Sequence, residues 1–279
     1  MSTAIERLIA VEELPSDYRE IAERHWRPLS EDIAERYTGR PLIVGVNGAQ
    51  GSGKTTLCRF LEALMLEHNQ RAVTLSLDDL YLTRAERQAM ARDEHHLFAT
   101  RGVPGTHDVA LGAAILDKLL AGQSATAPRF GKAANDRATD TRVLEPVEVI
   151  LFEGWCVGAV PQPAGALRDP INRLEAEEDP DGRWRREVNR RLATDYAELF
   201  GRIDLLVMLE VENFEAVRAN RLLQEQKLAR ANPGGTAVMD EAALDRFVMH
   251  YERLTRWMLE EMPTRANIVV EIGPDQRPK

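Results

Sequence analysis

Eight consecutive residues, Gly48-Ala49-Gln50-Gly51-Ser52-Gly53-Lys54-Thr55, fit the pattern G-x-x-x-x-G-K-[ST]. These types at this spacing suit phosphate. The glycines let the backbone curl until several N–H groups face one oxyanion. Lys54 is expected to reach the β- and γ-phosphates of ATP, and the Thr55 hydroxyl to ligate Mg²⁺. Thr56 closes the expected nucleotide contact. A glycine-rich turn without a ligand would account for the composition but not for the flanks. Pro41-Leu42-Ile43-Val44-Gly45-Val46 reads as a buried strand, and Leu57, Phe60, Leu61 and Leu64 recur at helical spacing.

Two acids follow other apolar runs. Asp78, in Ser76-Leu77-Asp78-Asp79-Leu80-Tyr81, stands where a carboxylate would face the γ-phosphate and accept the proton of an attacking hydroxyl, or help hold Mg²⁺. The plainer alternative is that Asp78 and Asp79 cap the next helix. Glu153 ends Val149-Ile150-Leu151-Phe152, as does the acid of the second nucleotide motif, which holds Mg²⁺ directly or through water. Gly154 then lets the chain turn close to the phosphates.

Two basic stretches suit an anionic small molecule. In Arg101-Gly102-Val103-Pro104-Gly105-Thr106-His107-Asp108, Arg101 and His107 could recognise a carboxylate or phosphate, while Thr106 or Asp108 could cap the helix that follows. Pro128-Arg129-Phe130-Gly131-Lys132, followed by Asp136-Arg137, offers either a clamp through Arg129 and Lys132 or a solvated turn. Arg218 and Arg221 lie one helical turn apart ahead of the Gly/Pro loop 230–235. That arrangement describes either a lid with charge-stabilising arginines or a charged outer face.

These groups need a frame. Strand candidates at Leu42–Val46, Ala72–Leu77, Val147–Phe152, Asp204–Leu209 and Ile268–Ile272 alternate with helical segments. That alternation predicts an α/β fold with a parallel five-stranded sheet, helices on both faces and a small helical lid. Ligands then bind beyond the carboxyl ends of the strands, where the motifs fall. Residues 1–40 are expected to form a helical extension packed on a single P-loop kinase domain at 41–279, with substrate loops at about 93–142 and the lid at about 213–240. Residues 93–108 and 124–142 read as long irregular loops. The acidic run Glu175–Asp179 and the arginines from Arg183 to Arg191 read as solvated surface, and the stripe from Leu244 to Met258 as a buried helix face.

The chain has 279 residues and a net charge of −9, which argues against broad nucleic-acid binding and against an anionic membrane surface. The two cysteines, Cys58 and Cys156, show no metal spacing. Neither an apolar leader nor a bilayer-length apolar run appears, so a cytoplasmic protein is expected. Oligomeric state is not encoded in these features.

Taken together, G-A-Q-G-S-G-K-T, S-L-D-D-L-Y, R-G-V-P-G-T-H-D, P-R-F-G-K and F-E-G-W resemble the plant- and fungal-type D-glycerate 3-kinase family, within the phosphoribulokinase, uridine kinase and pantothenate kinase group. The resemblance covers about residues 40 to 260. It implies ATP-dependent phosphorylation of the 3-hydroxyl of D-glycerate, with Asp78 as base and Glu153 helping to hold Mg²⁺; Tyr81, Arg101, His107, Asp108, Arg129 and Lys132 are the residues expected around the acceptor. Leu80 departs from the aromatic residue the family commonly has there. Rival expectations are another anionic acceptor, such as pantothenate or a sugar phosphate, or a P-loop switch acting on a protein. No N-K-x-D or L-S-G-G-Q motif supports a GTPase or a transporter ATPase.

Overall fold

The computed structural model describes residues 3–231, 239 and 241–279. Its chain runs through α1 (Thr3–Val11), α2 (Tyr18–Ile21), α3 (Arg27–Glu35), β1 (Leu42–Gly48), α4 (Lys54–Met65), β2 (Ala72–Ser76), α5 (Arg84–Asp93), α6 (Val109–Leu120), β3 (Ala125–Gly131) and β4 (Asp136–Leu144). It continues through β5 (Val149–Gly154), α7 (Arg173–Glu178), α8 (Arg183–Ala193), α9 (Asp195–Phe200), β6 (Leu205–Val211), α10 (Phe214–Ala231), α11 (Glu241–Glu261) and β7 (Ile268–Ile272). Five strands form one parallel sheet in the order β2-β5-β1-β6-β7. The chain moves to one side of β1 for β2 and β5, then to the other for β6 and β7. The loop after β1 therefore leaves the sheet where the winding reverses, the place such sheets bind ligands.

Strands β1 and β5 are buried along their whole length, as their continuous apolar runs require in a sheet covered on both faces. Successive side chains alternate between two cores. Val44, Val46, Leu151, Val207 and Leu209 join Leu57, Leu61 and Leu64 of α4 and Trp26 and Ile33 of the N-terminal helices. Ile43, Ile150, Phe152, Leu206 and Met208 join Leu116 and Leu119 of α6, Tyr196 and Leu199 of α9 and Met258 of α11. The N-terminal helices pack on α4, where Arg27 donates to Glu67 at 2.7 Å.

Three expectations are corrected. Residues 125–144 form an antiparallel hairpin, β3–β4, in place of an irregular loop. Burial alternates from Ala125 through exposed Thr126 to Ala127, and again from exposed Arg129 to Phe130 after a register shift past Pro128. Glu175 and Asp179 are fully buried. Glu175 pairs with Arg253 at 2.6 Å and Asp179 with Arg185 at 3.0 Å. Only Arg partners with further hydrogen bonds make such burial tolerable, and Arg185 and Arg253 also donate to carbonyls of Leu167 and Ala166. The arginine-rich α8 is correspondingly a half-buried helix, with Trp184 and Arg185 inside.

Candidate active site

The loop between β1 and α4 is shaped by glycine. Gly51 and Gly53 take φ of 78° and 90°, in the region where a Cβ is costly. A Cβ on Gly48 would lie 2.4 Å from the Ser52 Oγ, so the loop folds back on its own start. Beyond Gly53, the first-turn amides of α4 have no carbonyls behind them, and the helix end adds positive potential. Lys54 donates from Nζ to the carbonyls of Gly48 at 2.6 Å and Ala49 at 3.1 Å. Burial depresses its pKa, while Glu153 and Asp78 favour its charge. Ser52 Oγ is buried with no protein partner. Thr55 is exposed at the helix start.

Two acids face this loop. Glu153 is 7% exposed. Burial raises its pKa against the pull of Lys54 and Ser76. Asp78 lies in the 3₁₀ turn Leu77–Leu80 after β2. Tyr81 donates from its hydroxyl to Asp78 Oδ1 at 2.9 Å, and Lys132 Nζ sits 3.0 Å from Oδ2. Burial opposes the Asp78 charge, yet Lys132 and Tyr81 outweigh it and hold the carboxyl below its usual range. Neither acid caps the next helix. Thr83 does that, in a capping box with Glu86. Asp79 instead accepts from the Phe130 N–H at 3.2 Å and roots the hairpin beside Asp78.

The Arg101–Asp108 segment is a braced strap. Gly102 has φ of 129°, and a Cβ there would strike the Tyr251 hydroxyl at 2.0 Å. Tyr251 donates to the Arg101 carbonyl at 2.8 Å and Trp155 Nε1 to the Gly102 carbonyl at 2.8 Å. The α11 stripe is therefore more than core, since its Tyr251 positions this loop. Thr106 is consumed inside the strap by Gly102 N–H and Val103 carbonyl, and Asp108 caps α6 through Leu111 N–H at 3.0 Å. His107 is buried and stacks on Tyr81, ring centroids 4.5 Å apart. Its Nδ1 lies 2.6 Å from the Tyr196 hydroxyl. That hydroxyl accepts from Gly105 N–H at 2.9 Å, leaving its proton for Nδ1. Nε2 then carries hydrogen and has no partner in the protein. Burial pushes the His107 pKa down to about 3, so the ring is neutral.

Around the hairpin turn the charges are unbalanced. Arg101 lies over the Phe130 ring at 5.4 Å and Arg87 at 5.6 Å. Both donate to Asn135: Arg101 to its side chain, Arg87 to its carbonyl at 2.7 Å. Neither pairs with a carboxylate among the described residues. Burial, and then the Arg101 charge, lower the Arg87 pKa. Phe130 meets Tyr81 edge-on at 5.0 Å, so the two guanidiniums connect to Asp78 through two rings. Arg137 donates to the Tyr81 carbonyl at 3.0 Å.

The structure thus brings together Gly48 to Thr56, Asp78, Tyr81, Arg101, His107, Lys132 and Glu153. Arg129 stands apart on the exposed face of the hairpin, 3.5 Å from Asp140, because strand alternation turns it away from Phe130. Arg218 is taken by Asp245 at 2.6 Å and Glu241 at 3.5 Å, which join α10 to α11. Arg221 lies over Phe247 at 5.5 Å. The loop expected at 230–235 falls mostly outside the described residues, as does most of the lid's turn. Sequence reading missed Arg87, Asn135 and Tyr196. A signal existed for Asn135, which takes φ of 52° in a hairpin turn where Asn is favoured. None existed for Arg87, whose helix reads as solvated.

The donor set fits Mg²⁺ and a polyphosphate. Hard carboxylate and hydroxyl oxygens of Glu153, Asp78 and Thr55 suit the cation, and the buried unpartnered Ser52 hydroxyl lies inside the phosphate cradle.

No protein-family model matches the chain. It is 35% identical over 228 residues to an uncharacterized kinase of Schizosaccharomyces pombe, covering 76% of this chain and 79% of that protein. To the chloroplastic D-glycerate 3-kinase of Arabidopsis thaliana it is 30% identical over 259 residues, 85% of this chain and 54% of that protein. The chain belongs to the kinase family that the S. pombe protein represents. It is accordingly a kinase, and it spans about half the length of the Arabidopsis relative. A solved D-glycerate 3-kinase from Cryptococcus neoformans var. grubii superposes with a TM-score of 0.75 at 24% identity, covering 91% of this chain and 96% of that one. That likeness extends the family's fold over nearly all of the chain. No helix among the described residues is long and apolar enough to cross a membrane.

Proposed function

We propose that the protein transfers the γ-phosphoryl group of ATP to the 3-hydroxyl of D-glycerate. The observation that carries the acceptor is the pair Arg87 and Arg101, two guanidiniums without an ion pair to a carboxylate among the described residues, connected through Phe130 and Tyr81 to Asp78. A small acceptor with an anionic group near its hydroxyl supplies the missing counter-charge, and a nucleoside does not. Both relatives named for this substrate point the same way.

In this reading Gly48 to Thr56 bind the triphosphate, and the Lys54 ammonium leaves its loop carbonyls for the β/γ oxygens. Asp78 orients the acceptor hydroxyl and takes its proton. Tyr81 fixes the carboxylate of Asp78, and His107 offers a neutral N–H beside it. Arg101 holds the carboxylate of the acceptor. Thr55, Glu153 and Asp78 would hold Mg²⁺, which would supply charge compensation for the phosphoryl oxygens. Arg218 and Arg221, the latter over the Phe247 ring at 5.5 Å, are the lid arginines that stabilise the transferring charge. Residues 41–279 act as one kinase unit in the cytoplasm, with 1–40 as an extension.

ADP release from MgATP across D-glycerate, L-glycerate, pantothenate, uridine and ribulose 5-phosphate tests this. Stimulation by D-glycerate with 3-phosphoglycerate as product is the expected result. Stimulation by another acceptor alone would remove the glycerate assignment, and a slow rate indifferent to all five would favour a protein-directed switch.

A further inference from the structure

The ion pair between Lys132 and Asp78 presents a problem for catalysis. Asp78 Oδ2 is held by Lys132 at 3.0 Å and Oδ1 by the Tyr81 hydroxyl at 2.9 Å. A carboxylate so engaged has its best lone pairs directed at cations and donors of the protein, away from an incoming hydroxyl. The two partners differ in how firmly they are placed. Tyr81 is 3% exposed and locked between His107 and Phe130. Lys132 has a side chain 69% exposed. It extends from the turn Gly131–Asn135 on a flexible four-carbon stem, with only alanines at 133 and 134 beside it. The root of the hairpin is fixed by Asp79 and by Arg142, which donates to the Thr74 carbonyl. The arm can therefore move without the hairpin moving.

Next to this arm lie Arg101 and Arg87, neither of which makes an ion pair with a carboxylate among the described residues. An anionic group bound at Arg101 becomes a second carboxylate within the neighbourhood of Lys132.

We propose that Lys132 is a specificity latch: it covers Asp78 until the acceptor's carboxylate draws its ammonium away, freeing Oδ2 for the acceptor's hydroxyl. The device deepens the acceptor reading above and rests on it. It makes release of the base depend on an anion in the same molecule as the hydroxyl. A neutral polyol such as glycerol, which has the same hydroxyls but no carboxylate, meets a covered Asp78 and is rejected even where it fits. Water is refused on the same ground.

The test compares the wild-type protein with Lys132→Met, with D-glycerate and with glycerol as acceptors. Lys132 is exposed, so the variant folds, and Lys132→Arg serves as a charge-retaining control. For D-glycerate, kcat/KM is expected to fall by roughly 10- to 100-fold, the loss of one carboxylate contact. For glycerol, turnover is expected to rise by about tenfold or more, because the cover is gone. ATP hydrolysis without an acceptor should rise with it. Lys132→Arg should keep both glycerol turnover and hydrolysis low. A glycerol rate in Lys132→Met no higher than in the wild type overturns the latch and leaves Lys132 a plain carboxylate clamp. Equal losses on both acceptors also overturn it. Failure of the wild type to phosphorylate D-glycerate removes the acceptor reading itself, and the latch falls with it.

Discussion

Two regions of this molecule handle charge in opposite ways. Behind the strap, Glu175 and Asp179 are buried and each is matched by an arginine, Arg253 and Arg185, whose remaining donors reach carbonyls. In front of it, Arg87 and Arg101 face each other's charge with backbone or amide oxygens as hydrogen-bond partners. The first region is electrostatically closed, so its charges serve the fold. The second is left open, and an open set of cations is a binding site for whatever anions complete it. Burial alone does not separate the two, because Arg87 is as buried as Arg185. The presence of a carboxylate partner does.

The largest effect sharpens the open side. Asp78→Asn should lower kcat by about 10²- to 10⁴-fold while ATP affinity stays nearly intact, read by steady-state kinetics and nucleotide titration. Unchanged turnover would remove Asp78 from the chemistry. On the closed side, Arg253→Ala strands Glu175 and should cost roughly 3–5 kcal/mol in urea unfolding. A cost near that of a surface pair would break the distinction. Arg101→Met should do the reverse. We expect KM for D-glycerate to rise by about 10- to 100-fold, with stability unchanged or slightly higher because a like charge beside Arg87 is gone. A large loss of stability would place Arg101 with the scaffold.

The smallest effect concerns His250, which packs on Trp184 in the closed region, ring centroids 5.9 Å apart. Burial lowers its pKa from 6.5 to about 4. The unfolded chain therefore binds a proton that the folded chain refuses between those values. Stability from this group is present above pH 6.5 and is lost as pH falls toward about 4. His250→Gln should flatten the acid side of a Tm-against-pH curve by up to one proton. An unaltered slope would show His250 already charged in the fold.

The nucleotide half of the site was legible in the sequence because its chemistry is local. The P-loop, Asp78 and Glu153 each sit within a few residues of a strand end, and strands announce themselves by apolar runs. The acceptor half was legible only in part. Arg101, His107 and Lys132 stood out as polar groups on Gly/Pro scaffolds, yet Arg129 appeared equal to Lys132 until the hairpin's alternation turned it outward. Arg87 and Tyr196 act through tertiary contacts across 48 and 89 residues, and no local pattern reports such pairing. The same holds for Glu175 and Asp179, whose acidic run looks solvated until Arg253 and Arg185 arrive from elsewhere in the chain. The pairing of Arg218 with Asp245 and Glu241 was hidden for a related reason, since helix spacing shows which residues share a face but not which acid awaits them.

The central claim is that the open cations await the acceptor's carboxylate. A crystal structure with MgADP and D-glycerate tests it most directly. The account predicts the carboxylate on Arg101 and Lys132, with the 3-hydroxyl within hydrogen-bond distance of Asp78 Oδ2. A carboxylate bound elsewhere, with Lys132 still on Asp78 and Arg101 still held only by Asn135, would contradict it.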